Sequence, residues 1–227
     1  MSLQLPLALA RPQPTFANYV VGRNAEAVAA LQALVHTDVA ERFVYLWGEP
    51  GSGRSHLLAA IVAAAELVGR TAMPFAQWAD CAPGTILLAD DVHELDAAAQ
   101  IRLFNAYNTA RESGACLVAT GDAAPARLPL RPDVVTRLAW GLAYPLHVLT
   151  DDEKVDALSR HAVGRGWRLP PEVARYLLRH GRRDLPSLMS ILDELDRFSL
   201  ATRRPVTVPL LRDVLQSAAP LEVGSGT

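Results

Sequence analysis

The stretch Gly48-Glu49-Pro50-Gly51-Ser52-Gly53-Arg54-Ser55 decides how this chain folds. A short apolar run, Phe43-Val44-Tyr45-Leu46-Trp47, precedes it, and an alanine- and leucine-rich segment running to Val68 follows. Strand, glycine-rich turn and helix in that order form the setting of a phosphate-binding loop. Glycines let consecutive backbone N–H groups converge on one anion, and the N-terminus of the following helix adds its positive end. Gly48, Gly51, Ser52, Gly53, Arg54, Ser55 and His56 therefore become candidate phosphate contacts, with the Ser55 hydroxyl at the position that holds Mg²⁺. The pattern calls for lysine where Arg54 stands, and a planar guanidinium does not replace a compact ammonium among phosphates. Lys154 is the only lysine in the chain, so none nearby takes over.

The chain places two further motifs after this loop. Thr85-Ile86-Leu87-Leu88-Ala89 is a continuous apolar run, the mark of a strand buried on both faces, and Asp90-Asp91 close it. Paired carboxylates at a strand end suit Mg²⁺ and an attacking water beside a nucleotide, Asp90 on the metal and Asp91 on the water. Capping of the next helix, which Asp96 could begin instead, is the competing role for both. Ala115 to Ala119 is a second buried strand ending in Thr120-Gly121-Asp122, which puts Asp122 at the edge where open α/β sheets hold ligands.

Composition excludes several classes. The 227 residues suffice for a sizeable core, and half are hydrophobic. A formal net charge of -2 does not give the basic field of a protein that lives on DNA. Two cysteines, Cys81 and Cys116, make neither a disulfide frame nor a metal site. No signal peptide or span is legible, because Glu66 interrupts the apolar run Leu57–Val68 and no cationic start precedes Arg11. A cytoplasmic protein without membrane contact is the expectation.

The pattern divides the chain into a proline-punctuated arm over 1–15, an α/β domain over 16–150 with a parallel sheet, a helical domain over 151–217 and a disordered tail over 218–227. In the arm, Gln4-Leu5-Pro6-Leu7-Ala8-Leu9 reads either as a plain leader or as a docking peptide in which Gln4, Leu5, Leu7 and Leu9 engage a pocket. Asn24 is placed to cap a helix reaching His36, and Phe16, Val20 and Val21 serve either as core or as walls of an adenine pocket. The periodicity also predicts a helix over 96–113 closed by Gly114, a strand around 71–75 and another around 142–148. Beyond Thr150, a capping threonine followed by acids, helices are predicted over 151–165, 171–181, 185–202 and 207–216.

The order of phosphate loop, acid-ended strand, polar-ended strand, arginine on a short helix and helical lid resembles an AAA+ ATPase domain. Thr15-Phe16, Val20-Val21-Gly22, Gly51 to Leu58, Leu87 to Asp91, and Thr136-Arg137-Leu138 with Trp140-Gly141-Leu142 narrow the likeness to the nucleotide-binding domain of the replication initiator DnaA. Arg54 in place of lysine, and no following helix-turn-helix domain, are features of the related Hda regulators. The resemblance implies that Arg137 is an arginine finger acting in trans on DnaA-ATP. It also implies that Gln4 to Leu9 docks on the DNA polymerase III sliding clamp (the beta subunit), with DNA approached mainly indirectly. ADP or another nucleoside diphosphate with Mg²⁺ is the implied cofactor, with ATP as the alternative; a homodimer is a further implication. Where DnaA-like lids carry an arginine on the phosphates, this chain has Pro186, leaving Arg183, with Arg182, to substitute. Weak or absent intrinsic hydrolysis follows from these replacements. An ATP-driven initiator or helicase loader, and a clamp-binding adaptor with a degenerate nucleotide site, are the rival readings.

Overall fold

The computed structural model describes residues 13–36, 40–78, 82–181 and 184–218. The expectations for Gln4, Leu5, Leu7, Leu9, Arg182, Arg183 and the end of the chain fall outside the described residues. The structure forms two compact units that meet in sequence between Leu149 and Thr150.

The first unit is built on five parallel strands: β1 (Phe43–Trp47), β2 (Ala72–Pro74), β3 (Ile86–Ala89), β4 (Cys116–Gly121) and β5 (Leu142–Pro145). Their order across the sheet is β2-β3-β4-β1-β5. Helices cover both faces, which is why the inner strands are apolar throughout and not alternating. Val44, Leu46, Ile86, Leu88, Cys116 and Val118 pack against α1 (Ala25–His36) and α2 (Arg54–Leu67) through Leu31, Leu34, Leu57 and Ile61. The residues between them in each strand turn to the other face. Tyr45, Leu87, Ala89, Leu117 and Ala119 meet Leu103, Ala106 and Tyr107 of α3 (Ala97–Ser113) and Val134 and Leu138 of α4 (Pro132–Leu138). The period-two alternation of a strand thus feeds two cores at once.

Arg70 ties the edges of this packing. Its guanidinium donates to the carbonyls of Leu34 and Val35 at the end of α1, to Gly84 O in the turn before β3, and to the Cys116 thiol. A permanent cation thereby satisfies helix C-terminal carbonyls that have no partner within their own helix.

Two features differ from the sequence reading. The strand predicted over 142–148 ends at Pro145, which lacks an N–H; beyond it His147 N donates to Asn24 Oδ1 at 2.8 Å. Asn24, read as a helix cap, spends its side chain on this bond and on donating to His147 O and Tyr19 Oη, both at 3.0 Å. Asp96 does cap α3, accepting from Ala99 N, and Gly114 closes that helix in the left-handed conformation.

The second unit comprises α5 (Asp151–Gly164), α6 (Pro171–His180), α7 (Leu185–Thr202) and α8 (Val208–Ala218). Thr150 and Glu153 form a reciprocal capping box at its start, satisfying two orphan N–H groups. Its own apolar core includes Leu158, Leu177, Leu188, Leu192, Leu195 and Leu211. Pro186 occupies the first turn of α7, behind the N-cap Asp184.

Candidate nucleotide site

The parallel strands deliver the candidate residues to one edge of the sheet. β1 runs into the phosphate loop, β3 ends at Ala89 ahead of Asp90 and Asp91, and β4 ends at Gly121 ahead of Asp122. The pairing Leu46↔Thr120 and Ala89↔Ala119 brings the phosphate loop, the two acids and Thr120 to the same level.

The loop takes a shape that only glycine supports at three points. Gly51 and Gly53 adopt φ of 86° and 94°. A Cβ at Gly48 would lie 2.3 Å from Leu146 O, and one at Gly53 2.6 Å from the Tyr19 ring. Gly53 caps α2 with no side-chain bond to the helix, so the first-turn N–H groups stay available to an anion. Tyr19, which the sequence reading passed over, braces the loop: its hydroxyl donates to Ser52 O at 3.1 Å, and burial raises its pKa despite the Asn24 hydrogen bond. The His56 ring packs at a tilt against Tyr19, their centroids 5.3 Å apart, and reaches Thr15 O with Nε2 at 3.0 Å, so it braces the N-terminal segment. Phe16 and Val21 join the core beside α1 and α2; Val20 is half-buried outside it.

The acids are held by each other and by β4. Thr120 Oγ1, fully buried, donates to Asp90 Oδ1 and accepts from Asp91 N at 3.0 Å. Asp91 sits in the left-handed region, at φ 45° and ψ 52°. Its Oδ1 lies 3.1 Å from Arg54 Nη2. The carboxylate expected to polarise water therefore faces the cation of the loop. Ser55 is exposed at the head of α2. Asp122 is exposed, 3.9 Å from His93 Nδ1. Its charge adds to burial in raising the pKa of Tyr45, and Arg54 opposes it.

Two buried polar atoms of the loop lack a hydrogen-bond partner: Ser52 Oγ and Arg54 Nη1. Two such donors in one glycine-rich loop fit a phosphate chain, since buried polar groups are otherwise paired. Ser55 and Asp90 would hold Mg²⁺, and the loop amides with Arg54 the phosphates.

Arg137 lies on α4. Its Nε and Nη2 both donate to Asn108 Oδ1, at 3.1 and 3.0 Å, and its guanidinium sits over Phe104 and beside Trp140. It has no carboxylate partner among the described residues. Asn108 and Phe104 come from α3 and carried no sequence signal of their own.

Residues 151–215 match the family of the Hda lid domain. The chain also resembles domain III of the replication initiation protein DnaA from Thermotoga maritima, at 23% identity and a TM-score of 0.70, over 91% of this chain and 97% of that one. It resembles AMPPCP-bound DnaA from Aquifex aeolicus at 21% identity and a TM-score of 0.67, over 82% of this chain and 65% of that one. The Thermotoga maritima RuvB Holliday junction branch migration motor follows at 14% identity and a TM-score of 0.64, over 91% and 72%. The fold is that of an AAA+ ATPase domain with a helical lid.

Proposed function

We propose that this chain, an AAA+ module whose lid belongs to the Hda lid family, is a negative regulator of bacterial replication initiation that promotes hydrolysis of the ATP held by DnaA. The observation that carries the reading is Arg137: a half-buried guanidinium, held by an amide and an aromatic ring and not by an acid, in a chain with a lid of this family. An arginine so held keeps its full charge for a phosphoryl group in another subunit, a contribution of about 10³–10⁵ in rate in other NTPases.

The chain's own site is proposed to bind nucleoside diphosphate, ADP above all. Gly48 to His56 surround the phosphates, Ser55 and Asp90 hold the metal, and Mg²⁺ when bound neutralises charge on the phosphate oxygens. Own turnover is slow, because Arg54 replaces lysine, Asp91 faces Arg54 and Pro186 gives the lid no cation at that position. Gln4, Leu5, Leu7 and Leu9 dock on the sliding clamp in the cytoplasm, DNA being approached through the clamp and through DnaA. Self-association through the face that carries Arg137 is the proposed resting form. Among the described residues no helix is long and apolar enough to cross a membrane.

The experiment follows labelled ATP on DnaA, with clamp loaded on DNA, in the presence and absence of this protein. Acceleration by the wild type, lost in Arg137→Ala and in the double change Gln4→Ala with Leu7→Ala, is the expected result. Acceleration that survives Arg137→Ala rejects the finger. No acceleration despite intact clamp binding leaves an adaptor role and rejects the regulator reading.

A further inference from the structure

The arginines of the helical unit fall into two groups. Arg165, Arg197 and Arg204 are tied to carboxylates: Arg165 to Asp193 and Asp196, Arg197 to Glu194, and Arg204 to Asp213. Arg175, Arg179 and Arg212 are exposed, and none has a carboxylate within ion-pair distance among the described residues. Arg175 and Arg179 stand four positions apart on α6 and so share one face of that helix. Val173, Ala174 and Leu177 anchor the other side of α6 in the core of the unit. Arg212 joins this face from α8, which packs on α6. Its Nε donates to the Tyr176 hydroxyl at 3.1 Å, and its guanidinium carbon lies 5.2 Å from the centroid of that ring. His180, one turn along α6, packs against the same ring at 4.2 Å. Tyr176 thus holds Arg212 by Nε and leaves its two terminal nitrogens without an acceptor among the described residues. Glu172, the acid of α6, sits in the first turn and pairs with none of the three.

We infer that this face of α6 and α8 is a docking surface for the phosphate backbone of duplex DNA, contacted directly by Arg175, Arg179 and Arg212. Guanidinium forks that no carboxylate neutralises suit phosphate, which they bind through paired N–H groups. Four residues advance a helix by about 6 Å, so Arg175 and Arg179 address separate phosphates along a strand. The Tyr176 ring is already engaged by His180 and Arg212, so the face lacks the open aromatic platform on which single-strand binders stack unpaired bases. Contacts to phosphate alone carry no sequence information, and the binding is independent of sequence. On a chain of net charge -2, three arginines make a weak contact in isolation. Beside DNA, where the clamp reading puts the chain, tethering raises the effective concentration to about the millimolar range, enough to occupy a weak contact. That last use rests on the clamp reading; the surface itself does not.

The test is fluorescence anisotropy of a labelled duplex of mixed sequence, titrated with the full chain and no clamp, from low to physiological KCl. The wild type is expected to bind with a log–log salt slope of about -2 to -3, since each neutralised phosphate contributes about -0.9. Arg175→Gln with Arg179→Gln is expected to weaken low-salt binding at least about tenfold and to bring the slope about two closer to zero. Arg212→Ala should bring it about one closer. Arg175→Lys with Arg179→Lys keeps the charges and is expected to bind within about threefold of the wild type. All of these side chains are exposed, and circular dichroism should show wild-type helix content in each variant. Unchanged binding in the glutamine variant overturns the inference, as does a single strand of equal length that binds as tightly as the duplex. No duplex binding at low salt also overturns it, and retention on phosphatidylserine vesicles in its place reassigns the arginines to a membrane surface. None of these failures touches the stimulation of DnaA-bound ATP hydrolysis, which is read in a separate assay and uses Arg137.

Discussion

Arg137 lies over Phe104, the guanidinium carbon 3.7 Å from the ring centroid. The ring and the Asn108 oxygen fix the fork without neutralising it, so an arginine presented in this way is already ordered when a partner's phosphate arrives. Arg137→Lys keeps the charge but loses the double donation to Asn108, and is expected to lose most stimulation of DnaA-bound ATP hydrolysis. Asn108→Ala retains the charge and is expected to lose about tenfold. Both should unfold within about 1 kcal/mol of the wild type, since the contact is half-exposed. Single-turnover hydrolysis and urea melts check the two halves separately.

The hydroxyl of Thr120 serves both acids at once, donating to Asp90 and accepting from Asp91 N. Thr120→Val has nearly the same volume and removes both bonds in a fully buried position. A cost of about 1–3 kcal/mol is expected from the unsatisfied groups left behind, together with weakened Mg²⁺-dependent nucleotide binding. Wild-type stability in the valine variant would show that the acids are held by other means.

The loop glycines should differ in how they fail. Gly48→Ala places a methyl group 2.3 Å from Leu146 O, a backbone atom that cannot turn aside. Gly51→Ala meets nothing within 4 Å, although its φ is 86°. The first is expected to lower the melting temperature by well over 5 °C, and the second by a smaller amount set by backbone strain of about 1–2 kcal/mol. Differential scanning fluorimetry separates them.

Burial raises the phenol pKa of Tyr45 and Tyr107 well above the ordinary tyrosine value of 10.0. A raised folded pKa means the unfolded chain releases these protons first. The stabilisation is complete below pH 10 and declines as the pH climbs past it toward the folded value. Tyrosinate absorbance during alkaline titration should therefore rise cooperatively with loss of helical signal for these two residues. Smooth titration of both in a folded chain would mean the interior is open to water.

The phosphate loop, the doubly covered strands and the cap at Asp96 were legible because each is written in contiguous residues: glycine spacing, an unbroken apolar run, an acid before an alanine-rich helix. The partners of the site residues were not. Thr120 meets Asp90, and Asn24 meets His147, only because strand register and the path of the chain join residues 30 and 123 positions apart. Asn24 shows the cost of reading locally. An asparagine before a helix usually caps it, yet here the longer-range bonds win its side chain. Arg54 was legible as a departure from the lysine pattern, while Asp91 as its counterpart required the turn after β3, whose positive φ no local signal announced.

The position of β1 in the sheet has a consequence for synthesis on the ribosome. Both neighbours of β1 come later in the chain: β4 begins at Cys116 and β5 at Leu142. β2 and β3, by contrast, can pair as soon as Ala89 has emerged. At about 5–20 residues per second, roughly 3–14 s pass between the emergence of Trp47 and that of Cys116. Throughout that interval the strand that carries the phosphate loop is an apolar segment with both edges open, and nascent-chain helpers have their longest opportunity to engage it.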